Sequence, residues 1–146
     1  MSGEGVLSNR LDRAVDGTRD HVLGPATAPI TLVEYGSYDC PHCRAANDRI
    51  TEVRSEFGDR LRYVFRHRPV TGSDIARRAA ELVEYATDPE MFWDAHVSLM
   101  TRSTTLTEED LREVAAKLNV ASEDEGAAED AAERVKARVD QDVASA

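Results

Sequence analysis

Long apolar runs are missing from this chain, and that absence is the first constraint on its function. No stretch approaches the ~20 apolar residues that a membrane-spanning helix needs. The opening, Met1-Ser2-Gly3-Glu4-Gly5, also lacks the basic end and apolar block of a secretory signal. Basic charge is scarce: 18 Lys and Arg face 28 Asp and Glu, a net charge of −10. That balance argues against nucleic acid or an anionic membrane surface as the main partner. Cysteine occurs only twice, too rarely for a disulfide scaffold, so the core must be hydrophobic. With 146 residues, 41% apolar and 32% charged, the chain has the length and balance of one soluble globular domain. Taken alone it is expected in the cytoplasm, or as a piece of something larger.

What chemistry there is gathers in one stretch, Ile30-Thr31-Leu32-Val33-Glu34-Tyr35-Gly36-Ser37-Tyr38-Asp39-Cys40-Pro41-His42-Cys43. The β-branched and aromatic residues at 30–35 favour a strand. Gly36 and Ser37 let the chain turn, and Pro41 suits the first turn of a helix, where its missing N–H costs nothing. Cys40 is thereby placed at a helix N-terminus. Free backbone N–H groups and the positive end of the helix dipole stabilise a thiolate there. Cys40 is the expected nucleophile, and Cys43, one turn further in and more shielded, the resolving thiol. His42, when protonated, adds positive charge beside Cys40.

Downstream, Ala46, Ile50, Val53 and Phe57 give a helical stripe that ends at Gly58. Leu61, Tyr63, Val64 and Phe65 make a second β-type run, closed by Pro69. A crossover of helical length between the two runs predicts parallel neighbours in a βαβ unit. The cysteines then sit at the carboxyl end of its first strand, where α/β proteins usually place their chemistry. Three helical segments follow. Ser73 caps the first, which uses Ala76, Ala79, Ala80, Leu82, Val83 and Ala86. Asp88-Pro89-Glu90 opens the second, through Phe92, Ala95, Leu99 and Met100. Thr107 with Asp110 resembles a capping box for the third, which uses Leu111, Val114, Ala115 and Leu118 and stops near Asn119. The acidic stretch 121–133 reads as a solvated loop and helix start. Val135, Val139 and Val143 then mark a last helix.

The competing use of a C-x-x-C is zinc. A structural site needs four ligands, and His21, His42, His67 and His96 make no H-x(3–5)-H pair to complete one. No metal and no cofactor is therefore expected. His67, between Arg66 and Arg68, reads as part of a basic rim, and His96, near Trp93, as a packing or surface histidine. Phe92 and Trp93 read as helical core.

The stretch around the cysteines resembles the active-site segment of the DsbA-like thioredoxin-fold disulfide oxidoreductases. Cys-Pro-His-Cys is the variant associated with DsbA, and the lead-in matches as well: Asp20-His21-Val22-Leu23-Gly24-Pro25, then Ala28-Pro29, then Leu32-Val33-Glu34-Tyr35-Gly36. The pattern is similar to a subgroup that includes domains fused to NhaA-type Na+/H+ antiporters. The resemblance implies a thiol–disulfide oxidoreductase with Cys40 and Cys43 as the redox pair and Pro41 and His42 tuning it. Glu34 falls where the family places a buried acid that can relay the proton of Cys43; a solvent-facing carboxylate on an edge strand is the alternative. Partners would be protein or small-molecule thiols and disulfides. A membrane antiporter to which the domain is covalently attached is the rival context, with a regulatory role and weak or no redox activity.

The family continues into a β-hairpin and final helix, with a cis-proline loop that reads roughly G-x-x-x-T-P-T-F. This chain stops at Ala144-Ser145-Ala146, and prolines 25, 29, 41, 69 and 89 do not fill that role. The expected fold is therefore α/β, a thioredoxin-like (DsbA-like) βαβ unit with an inserted helical subdomain at 70–120 and the C-terminal hairpin and helix missing. The truncated domain would occupy 20–146 behind a flexible tail at 1–19. Its sheet would have two strands with an exposed edge, so a homodimer or partial disorder is expected.

Overall fold

Three strands are present among the described residues: β1 (His21–Leu23), β2 (Ile30–Gly36) and β3 (Leu61–His67). The structure is a computed structural model that describes residues 11, 13–101, 106–119 and 125–146, with backbone only for 125–128. β2 and β3 run parallel, Ile30 opposite Leu61 and Gly36 opposite His67, as the crossover length predicts. The two-strand expectation is corrected by β1, which pairs antiparallel with the other edge of β3 and gives the order β1-β3-β2. Three residues are too few to show a period, so sequence reads them as a lead-in. Gly24 ends β1 at φ 99, and a Cβ there would lie 2.5 Å from the carbonyl oxygen of Leu61. Only glycine lets the chain leave the sheet so close to β3. The outer edge of β2, on which the homodimer expectation rests, has no strand beside it among the described residues.

Helix α1 (Pro41–Phe57) makes the crossover and stops at Gly58, whose φ of 55 is the left-handed value that favours glycine. Its stripe of Ala46, Ile50, Val53 and Phe57 faces inward, yet no residue of α1 is fully buried. Helices α2 (Asp74–Val83), α3 (Pro89–Met100) and α4 (Glu108–Lys117) follow, and each begins on its predicted cap. Ser73 accepts from Ala76 N–H and Asp88 from Met91 N–H, while Thr107 and Asp110 close a complete capping box. Asn119, at φ 59, turns the chain out of α4.

Side chains alternate across a strand, so β3 serves two cores. Tyr63 and Phe65 join Tyr38 with Ala79, Val83, Phe92 and Leu99 in the main cluster under α2, α3 and α4. The opposite side carries Val64 and Arg66, both fully buried. There α5 (Glu125–Ala144) and residues 13–20 pack against it. In α5, Val135 and Val139 are buried as the stripe predicts, but Val143 is 41% exposed and Asp142 takes the inward position at 0%. Asp142 can be buried because it pairs with Arg13 at 2.7 Å and accepts the His67 backbone N–H at 2.9 Å. The tail expected at 1–19 falls largely outside the described residues, as do 121–124 of the acidic stretch. Within its last part, the carbonyls of Arg13 and Ala14 accept from Arg66.

Candidate active site

The turn between β2 and α1 is held from several sides. The Gly36 carbonyl accepts from Arg68 N–H at 2.8 Å, and Ser37 Oγ accepts the N–H groups of Asp39 and Val70. Tyr38 is wholly buried, and its carbonyl accepts from the Arg44 guanidinium at 3.1 Å. Cys40 then occupies the N-cap of α1 in extended conformation with no side-chain cap bond, and Pro41 takes N1. Both thiols are free and half-buried, while Pro41 and His42 are exposed. Cys43 Sγ lies 3.4 Å from Ser37 N–H, which donates to it. Burial, the nearby Cys40 thiol and the Glu34 carboxylate push the Cys43 thiol up to about 11, against the lowering effect of the Ser37 N–H. Cys43 is thus built to stay protonated until something takes its proton.

Glu34 turns out to be half-buried, with the Tyr63 hydroxyl donating to its Oε1. Burial raises its carboxyl above the ordinary value and the Tyr63 bond only partly offsets this. The face of β2 that carries Glu34 also carries Gly36, where a Cβ would clash with the Phe65 ring at 2.7 Å and approach Glu34 Oε2 at 3.4 Å. Cys40, Cys43 and Glu34 therefore share one end of the sheet. Tyr63 was read from sequence only as strand core; nothing local marks it as the partner of Glu34.

Of the histidines, His67 departs from the sequence reading and His96 takes the packing role expected of it. His67 is not on a basic rim: it is fully buried, as is Arg66, and only Arg68 of the trio is exposed. Arg66 can be buried because Asp20, the Tyr35 hydroxyl and two main-chain carbonyls accept from it. His96 is also buried, 2.8 Å from the Tyr38 hydroxyl through Nδ1, and burial with the nearby His67 and His21 brings it down to about 3. It is neutral packing under the active-site loop. His67 and His21 both donate to Glu84, a residue no linear motif singles out.

A protein-family model described as thioredoxin matches residues 17–146. The Na(+)/H(+) antiporter NhaA of Nitrosospira multiformis is 54% identical over 138 residues, which cover 94% of this chain and 22% of that protein. NhaA 1 of Salinispora arenicola is 40% identical over 118 residues, covering 80% of this chain and 18% of that one. The chain therefore spans about a fifth of the length of these relatives. Among solved structures, a thioredoxin-like oxidoreductase from Silicibacter pomeroyi DSS-3 superposes with a TM-score of 0.69 at 25% identity, over 86% of this chain and 71% of that one. The thiol-disulfide exchange protein alpha-DsbA2 from Wolbachia pipientis gives 0.67 at 18% identity, over 86% and 67%, a likeness of fold alone.

Proposed function

The chain belongs to the thioredoxin family and has a DsbA-like fold, and from that premise we propose that it is a thiol–disulfide oxidoreductase working through Cys40 and Cys43. The observation that carries the reading is the C-x-x-C pair at a strand–helix junction, one sulfur at the helix N-cap and the other one turn inside. In the reduced chain the Cys40 thiolate attacks a partner disulfide. A Cys40–partner disulfide forms, and one partner sulfur leaves as thiolate. Cys43 gives up its proton and attacks the Cys40 sulfur, which releases the second partner thiolate. The partner gains two electrons and the chain becomes the Cys40–Cys43 disulfide; the reverse sequence oxidises a partner dithiol. Glu34 is the proposed acceptor of the Cys43 proton, since burial raises its carboxyl and makes it a better proton acceptor than an ordinary carboxylate. Pro41 fixes the first turn of α1, and exposed His42 adds charge beside Cys40 when protonated.

The test is exchange with a disulfide-bonded peptide, together with alkylation of the reduced chain. Cys40 should alkylate well ahead of Cys43. Cys40→Ser should reduce exchange to the uncatalysed level, and Cys43→Ser should stall as a mixed disulfide. Equal alkylation of both thiols, with exchange no faster than by free glutathione, would refute the reading.

A second reading is favoured by the antiporter relatives. In it the chain is a cytoplasmic regulatory module attached to a membrane Na+/H+ antiporter, and the cysteines exchange weakly or not at all. No helix among the described residues is long and apolar enough to cross a membrane. The same exchange assay separates the two readings, because only the first requires turnover.

A further inference from the structure

Three side chains that thiol exchange does not use converge from distant parts of the chain. His21 comes from β1, His67 from the end of β3, and Glu84 from the residue that caps α2. Nε2 of His21 lies 2.6 Å from Glu84 Oε2, and Nε2 of His67 lies 2.7 Å from the same oxygen. The three donor atoms are all within 4.8 Å of one another. The His67 side chain is 0% exposed, that of Glu84 8% and that of His21 18%. The rings are also fixed in orientation. His21 stacks on Phe92 with centroids 3.4 Å apart, and His67 meets Phe65 edge-on at 5.3 Å.

We propose that His21, His67 and Glu84 form a binding site for a divalent cation of the zinc class, separate from the cysteine pair. Two imidazoles and a carboxylate are the donor set that such borderline cations take. Metal–ligand bonds of about 2.0–2.1 Å place tetrahedral donors roughly 3.4 Å apart. The present spread brackets that value, so the ion needs only a small outward move of Glu84. His21 and Glu84 both line a cavity of about 310 Å³ bordered by Thr18, Asp88 and Trp93. The cavity gives an ion a path from solvent and leaves room for water as a fourth ligand. Such an ion would tie β1, β3 and the α2–α3 connection together, so binding should stabilise the fold. One feature limits its affinity. A metal-bound imidazole carries its proton on the other nitrogen and usually donates it, and His67 Nδ1 is buried with no partner. Micromolar binding is expected on that account.

The test uses the metal-free chain with Cys40→Ser and Cys43→Ser, so that no thiolate competes. Calorimetric titration with zinc chloride should show one equivalent bound, and thermal unfolding should move upward with zinc concentration. Cobalt(II) should give the visible absorption of a four-coordinate nitrogen–oxygen site. Glu84→Gln and His21→Gln should each weaken binding at least tenfold. If Glu84→Gln does not fold, His21→Gln carries the comparison, since it lies on a three-residue edge strand. Absence of heat, thermal shift and cobalt spectrum at millimolar metal in the parent would overturn the proposal. So would binding that neither substitution weakens. Failure of the exchange assay would leave this site untouched, because it shares no residue with the cysteine pair.

Discussion

Burial raises the Glu34 carboxyl above the ordinary value of 4.5, and the Tyr63 hydroxyl lowers it less than burial raises it. Between 4.5 and the raised folded value, the folded chain therefore binds more protons than the unfolded one. Stability falls as pH rises through that window and stays lower above it. Cys43 repeats the sign at higher pH, losing stability between 9.0 and about 11. Glu34→Gln removes the charge yet keeps an oxygen for Tyr63. It should raise Tm at pH 7 by roughly 2–4 °C, the yield of about 1 kcal/mol in a chain of this size, with no gain at pH 4. Thiolate absorbance should show Cys43 titrating earlier, while exchange slows several-fold because no carboxylate accepts its proton. Equal thermal gains at both pH values would place the effect in packing instead. The contrast in what sequence revealed is sharpest at this scale. Cys40, Pro41 and Cys43 act through a local strand–turn–helix and could be read directly. The Tyr63–Glu34 and His21–His67–Glu84 contacts join residues 29, 63 and 17 positions apart, and no linear spacing encodes them.

Helix boundaries were the most readable elements, because capping is a local bond between side chain and backbone. Ser73, Asp88 and Thr107 each cap as their sequence context predicts. Burial along a helix was less readable. Val143 and Asp142 exchange the positions that hydropathy assigns them, since the partner of Asp142 is Arg13, far away in sequence. Ser73 does two things at once. Its Oγ accepts Ala76 N–H at 3.2 Å, and its hydroxyl donates to Asp39 Oδ2 at 3.0 Å, beside Cys40. One side chain thus fastens the start of the helical insertion to the redox loop. Ser73→Ala should cost about 1 kcal/mol as a lost cap, and hydrogen exchange at the Asp39 and Cys40 amides should speed up. Ser73→Asp keeps a capping oxygen but repels Asp39, so it should recover helix stability without restoring loop protection. Unchanged amide exchange in both variants would show that the loop is held without Ser73.

For the whole molecule, the βαβ core was legible because one strand–helix–strand rhythm fixes handedness and neighbour order. The third strand was not, since β1 is defined only by its partner β3. That same pairing brings His21 and Asp20 inside, and with them a shared response to acid. Burial lowers His21, and burial brings His96 down to about 3, so the unfolded chain takes up these protons first as pH falls below 6.5. At Asp20 and Glu84 burial pushes upward but is outweighed, by Arg66 and the Asp16 N–H in one case and by two histidines in the other. Those folded carboxyls stay ionised below their unfolded values, and their contribution is lost as pH falls through the folded ones. All four groups therefore carry the same sign, with stability present at neutral pH and lost in acid. Glu34 opposes them, one group against four. Tm should drop steadily from pH 7 to pH 4, by an amount on the order of a few kcal/mol in stability at the acid end. His96→Gln should flatten the first part of the fall, between pH 6.5 and 4.5, where the histidines lower stability and Glu34 works against them. A Tm independent of pH over that range would mean that His96 and His21 reach protons without unfolding, and that the core around Tyr38 is more open than its geometry indicates.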